Sequence, residues 1–146
     1  VTGAISSTNA VDKFRLMWAQ VSNAQKDAGT DIFCSYDIYD NFRIDYKSKF
    51  NVNPREVLIS GTNYSGFEYE MGGSKTMIIP VAGMGSSGRV IITPRENLHF
   101  GYDDLSDWQN FNFEQDHRQL DFWMDFNMGV QMLMLRDGFI VVNDIA

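Results

Sequence analysis

The chain has a single cysteine, Cys34, so no internal disulfide can form. Cys34 lies in the apolar run Ile32-Phe33-Cys34, where a buried and chemically quiet thiol is expected. Histidine is as scarce: His99 and His117 stand in no zinc-binding spacing, and no second cysteine exists to build a zinc ribbon. Basic residues are outnumbered, twelve Lys and Arg against nineteen Asp and Glu, giving a net charge of −7. A phosphate backbone would be repelled at long range, which disfavours a dedicated DNA- or RNA-binding role. No stretch approaches ~18 consecutive apolar residues, so no membrane span is expected. No charged-then-apolar leader opens the chain, and no secretion signal is expected either. Starting at Val1 rather than Met, the sequence is expected to be a piece of a longer protein of cytoplasmic origin. Internal repeats and low-complexity tracts are also missing.

What is present points to one folded domain. A chain of 146 residues can bury roughly 68–70% of its unfolded surface. Hydrophobic residues make up 44%, aromatics 14%, and there are eight Met. Surfaces rich in aromatics and Met recur where proteins meet proteins, although a generously packed core explains the same numbers.

The most informative stretch is 120–135. Its even positions are apolar without a break: Leu120, Phe122, Met124, Phe126, Met128, Val130, Met132 and Met134. Period two over this length predicts a β-strand with one buried face. Drawn straight, at ~3.3 Å per residue, it would span roughly 50 Å. A globule of this size is only roughly 40 Å across. The strand therefore either bends, with Gly129 the natural place for a bulge, or leaves the globule and packs on something else.

The remainder reads in order. After a small, polar segment 1–8, Asn9 is an expected N-cap. Ala10, Val11, Phe14, Met17, Trp18, Val21 and Ala24 then recur at helical spacing, and the helix ends towards Gly29. Asp31 to Ser35 reads as a short buried strand. Ser35 or Asp37 caps a second helix, with Ile38, Tyr39, Phe42 and Tyr46 on one face, ending near Lys49. Residues 50–66 form a long loop around Val57-Leu58-Ile59. From Gly66 on the pattern is β. Phe67 to Met71 alternates, Thr76 to Val81 is a strand pushed towards an edge by Pro80, and Ala82 to Gly88 is a flexible loop. Arg89 to Thr93 is a buried strand, Asn97 to Tyr102 another, and Phe111 and Phe113 alternate into the turn Asp116-His117-Arg118. Asp137-Gly138 is a hairpin turn into Phe139 to Val142. The fold class is α+β: two helices packed on a mostly antiparallel sheet, with a long C-terminal β-hairpin extending from it.

No catalytic constellation emerges. Asp103, Asp104 and Asp107 lack the ligand ladder and closing Glu of a calcium loop, and read better as a solvated turn. Gly83, Gly85 and Gly88 are followed by a strand rather than a helix, so no phosphate cradle is expected. Ser86 and Ser87 have no nucleophile elbow around them. The chain is expected not to be an enzyme, and to use no cofactor or metal.

The segment Thr93-Pro94-Arg95-Glu96-Asn97-Leu98-His99-Phe100-Gly101-Tyr102-Asp103-Asp104-Leu105-Ser106-Asp107 resembles a signature in the C-terminal half of major capsid proteins of tailed bacteriophages. Met128-Gly129-Val130-Gln131 and the closing residues 138–142 extend the likeness. Upstream, Asn9-Ala10-Val11-Asp12-Lys13 and Asp31-Ile32-Phe33-Cys34-Ser35 extend it further, so that the order of elements agrees over about residues 7 to 142. Asp104, where the family tends to be apolar, and the bulky Phe122-Trp123-Met124 depart from it.

The resemblance implies the Hong Kong ninety-seven type capsid fold, with 9–107 axial-domain-like and 108–146 peripheral-domain-like. It implies a C-terminal portion of a subunit that assembles into pentamers and hexamers of a virion head. The partner would be other copies of itself, with packaged DNA met only non-specifically, and neither a membrane nor a small-molecule substrate. Cross-linking chemistry seen in some members is not carried over, because no Lys, Asn and catalytic acid can be matched. Inter-subunit contacts are expected at Phe122, Trp123, Met124, Phe126, Met128, Met132 and Met134. Two other readings compete: a ligand- or carbohydrate-binding module using Tyr64, Tyr69, Tyr102 and Trp108 on loops, and a metal-dependent hydrolase using Asp103, Asp107 and His117.

Overall fold

A computed structural model describes residues 3–59, 65–102, 111–116, 119–124, 128–133, 135 and 140–143. The chain divides into two units: residues 1–95 with 134–146, and residues 96–133. The first begins with α1 (Ala10–Gln20), whose Ala10, Val11, Phe14, Met17 and Trp18 recur at helical spacing and are all buried. The chain then turns extended at Val21 and Ser22 and restarts as the short α2 (Asn23–Ala28). The sequence predicts one helix here, but Val21 is itself drawn into the core. Gly29, at φ +100°, stops α2 in a conformation that a side chain would strain. β1 (Asp31–Cys34) follows, then α3 (Tyr36–Phe50), which ends at Asn51 in the left-handed region.

β2 (Glu56–Leu58), β3 (Ser65–Glu68), β4 (Met77–Pro80), β5 (Val90–Thr93) and, from the far end of the chain, β10 (Val141–Val142) complete a six-stranded sheet. Its order is β10-β5-β1-β4-β3-β2. Only β1 and β4 run parallel; every other neighbouring pair is antiparallel. The architecture is thus α+β with a mostly antiparallel sheet, and the third helix is the addition. Phe14, Met17, Ile32, Ile78, Val90 and Ile92 form the fully buried centre. Each such side chain contributes ~1.5–3 kcal/mol by leaving water. Aromatic rings knit the helices to each other and to the sheet: Phe14 of α1 meets Phe42 of α3 at 5.0 Å, and Tyr39 of α3 stacks on Phe67 of β3 at 4.0 Å.

Several local expectations are corrected. β3 ends at Glu68, and residues 70–75 wind into a 3-10 helix instead of extending the strand. Pro80 does not mark an edge, since β4 lies between β1 and β3. Val81 N–H donates to Cys34 O at 2.8 Å. The nitrogen of Pro80 therefore faces the β3 side, where the ladder has already ended at Phe67 and Ile78. Residues 82–88 are also more regular than a loose loop, with a 3-10 turn at Ala82–Met84 and successive backbone turn bonds through Ser87. β10 joins the main sheet beside β5 rather than closing a terminal hairpin. The turn expected at Asp137-Gly138 lies outside the described residues.

The second unit is built of two ladders. β6 (Leu98–Tyr102) pairs with β9 (Met128–Met132), and β7 (Phe111–Asp116) pairs with β8 (Gln119–Met124), both antiparallel. The ladders are nested along the chain, β7–β8 within β6–β9, which is the plan of one long hairpin. Eight residues link β6 to β7 but three link β8 to β9. Within the stretch 120–135, β8 and β9 therefore belong to separate ladders. Gly129 pairs regularly with Gly101 and makes no bulge.

Candidate functional site

Polar chemistry in the first unit is devoted to holding the fold. Asp45, on the buried face of α3, accepts a hydrogen bond from Val11 N–H at 2.8 Å. It thereby caps α1, a task the Asn9 side chain does not perform: that side chain instead accepts from Ser6 N–H at 2.8 Å. Lys49 donates to Asp45 at 3.0 Å and to Asp12 at 2.8 Å. The hydrogen bond to Lys49 holds the Asp12 carboxyl below its ordinary value. The same bond to Asp12, helped by Asp45, raises Lys49 against the opposing effect of burial. Asp31 opens β1, accepts from Met77 N–H at 3.1 Å and is paired with Arg95. Tyr46 donates to Glu70, and burial first, then that bond, pushes its hydroxyl up to about 12. Cys34 is fully buried, and burial raises its thiol to about 12. Tyr46 and Glu70 border a small pocket of about 20 Å³, room for about one water.

Of the residues weighed for a ligand or metal, the described part of the chain holds Tyr69 and Tyr102. Tyr69 is not a loop aromatic: it is 4% exposed and meets Trp18 edge-on at 5.4 Å. Tyr64, Trp108, Asp103, Asp107 and His117 lie outside the described residues. Tyr102 ends β6, opposite Met128, and His99 is exposed opposite Gln131. Among the described residues no group of three His, Cys, Asp or Glu could hold a metal ion.

The expected inter-subunit residues map onto the ladders of the second unit. Phe122, Trp123 and Met124 occupy consecutive rungs of β8, opposite Phe113, Asn112 and Phe111. Met128 and Met132 lie at the two ends of β9, opposite Tyr102 and Leu98. Phe126 and Met134 lie outside the described residues. In β6–β9 the rungs alternate: Leu98–Met132, Phe100–Val130 and Tyr102–Met128 are apolar, while His99–Gln131 and Gly101–Gly129 are polar or bare. Val130, at a central apolar rung, is 72% exposed, and Leu133, just past the end of β9, is 63% exposed.

Two features escaped the sequence reading. The first is charge placement. Residues 96–133 carry eight Asp and Glu against the single Arg118, and hence the whole net charge of −7. The other unit carries eleven of each sign and is neutral. The second is a groove of about 410 Å³ between α3 and the sheet edge, lined by Arg43, Ile44, Lys47, Pro54, Glu56 and Phe67. Arg43 and Lys47 stand one helical turn apart, a spacing visible in the sequence, but only the fold brings them beside β2. Neither cation has an ion-pair partner among the described residues, whereas Arg55 nearby is paired with Glu68 at 3.1 Å.

No protein-family model, curated protein or solved structure matches the chain. Among the described residues no helix is long and apolar enough to cross a membrane.

Proposed function

We propose that this chain is a non-enzymatic, self-assembling structural protein: the C-terminal portion of a major capsid protein of the Hong Kong ninety-seven type, working in the head of a tailed phage or prophage. The observation that carries this reading is the second unit. Its β6–β9 strands pair with apolar residues on alternate rungs, and Val130 at a central rung is exposed to water. A two-stranded ribbon is at best marginally stable alone in water. Covering it with neighbouring subunits, repeated by symmetry, supplies a second layer many times over. The resemblance of residues 93–107 to the capsid signature supports the same reading and names the assembly. Packaged DNA would be met without sequence preference, as the net charge suggests.

The test is expression of the complete coding sequence containing this chain, followed by negative-stain electron microscopy. Closed shells, or rings of five and six subunits, are expected. Particles that stay monomeric at high concentration would overturn the proposal.

A further inference from the structure

We infer that the Arg43–Lys47 groove receives the acidic ribbon of a second copy of this chain, with the Glu114–Asp121 rung set against the two cations. The inference rests on the self-assembly reading and deepens it by naming one contact.

Three observations carry it. The first is that the molecule holds its own complementary charge. The entire net −7 lies on residues 96–133, so each copy offers the exposed cations of another an acidic segment. Such complementarity sets register and partner choice.

The second is spacing. Glu114 pairs directly with Asp121, two rungs from Asp116–Gln119. Like charges on one rung lie ~4.5–5.5 Å apart at Cβ and destabilise the ribbon that carries them. Arg43 and Lys47, four residues apart on a helix, lie ~5–6 Å apart at Cβ. The spacing of two acidic positions on one rung thus matches that of two cationic positions one helical turn apart.

The third is a sheet edge that, among the described residues, is left open beside the cations. β2 ends the six-stranded order. Glu68 N–H donates to Arg55 O at 2.9 Å, so residues 55 and 57 bond across to β3. The backbone N–H and C=O of Glu56 and Leu58 consequently face away from it. Leu58 is 69% exposed and Ile44 53%, which gives an incoming strand apolar contact as well as backbone partners. The one acid in the groove, Glu56, is held by Ser65, whose hydroxyl donates to it at 2.7 Å. A contact between two different surfaces of identical chains propagates head to tail, as rings and shells require.

Sedimentation velocity over a concentration series tests this. The double variants Arg43→Glu with Lys47→Glu, and Glu114→Lys with Asp121→Lys, should each weaken self-association by about tenfold or more. An equimolar mixture of the two should return association to within about threefold of the unmodified chain, since each then offers the other an opposite charge. Circular dichroism confirms that the variants fold. If a reversal unfolds the chain, Arg43→Gln with Lys47→Gln carries the test instead, and should weaken association and flatten its salt dependence. Unchanged association in the reversed variants overturns this contact and leaves shell formation standing. Loss without recovery in the mixture also overturns it. An unmodified chain that stays monomeric overturns it too, while shell formation is judged separately by microscopy of the complete protein.

Discussion

Asp45 shows how one residue can decide where two elements meet. It sits on the apolar face of α3 at 2% side-chain exposure, and its carboxylate caps the first turn of α1 thirty-four residues away. Replacing it by Ala leaves the Val11 N–H without its partner and removes one of Lys49's two acceptors. Asp45→Ala should therefore cost about 2 kcal/mol in urea unfolding at neutral pH. The Lys49–Asp12 half of the network is exposed and contributes little by itself, but it shapes the pH dependence. The Asp12 carboxyl is depressed in the folded state, so its contribution is present above the ordinary 3.8 and lost as pH falls below it. The Lys49 ammonium is raised, so its contribution is full below the ordinary 10.5 and lost as pH climbs above it. In Lys49→Met both limbs should flatten, measured as unfolding midpoint against pH. Cys34 gives a second measurement at this scale. With its thiol pushed up to about 12 by burial, thiol reagents should modify the folded chain at least about a hundredfold more slowly than the unfolded one.

The elements depend on close backbone approach as much as on side chains. Gly66 on β3 faces β4 so tightly that an added Cβ would lie 2.6 Å from Ile78 O. Gly66→Ala should lower stability by about 1–3 kcal/mol, because the obstacle is backbone and cannot rotate away. Gly83→Ala is the control: nothing lies within 4 Å of its Cβ, and its thermal midpoint should barely move. The helices were legible because their apolar residues recur at 3.6, and β1 and β5 because they are short apolar runs beside turn residues. The break at Val21 was not legible, since Val21 fits the helical pattern and leaves the helix only to fill the core. Pro80 misled for a related reason. Proline weakens a strand only where its missing N–H would have been used, and the ladder on that side stops first.

At the scale of the whole molecule, a packed α+β unit is joined in sequence to a unit of two-stranded ladders. Amides of β1, β4 and β5 should exchange with solvent only through global unfolding. Those of the β6–β9 ladder should exchange far faster in the dissociated chain, and slow by about tenfold or more on assembly. Hydrogen exchange with mass spectrometry at low and high protein concentration measures both. Equal protection in β6–β9 at the two concentrations would argue that the ribbon needs no neighbour.

By itself, the sequence determined the α+β class, the burial of Cys34 and the alternation of the ribbon, because periodicity and local turn chemistry act within a few residues. It also held the acidic excess of residues 96–133 and the pairing distance of Arg43 and Lys47. Only tertiary structure decided that β1 and β4 run parallel at the centre, that β10 returns to β5, and that β8 and β9 belong to different ladders. It alone set the two cations beside the sheet edge at β2. Strand order and edge position follow from which distant segments bury one another, and no local pattern carries that information.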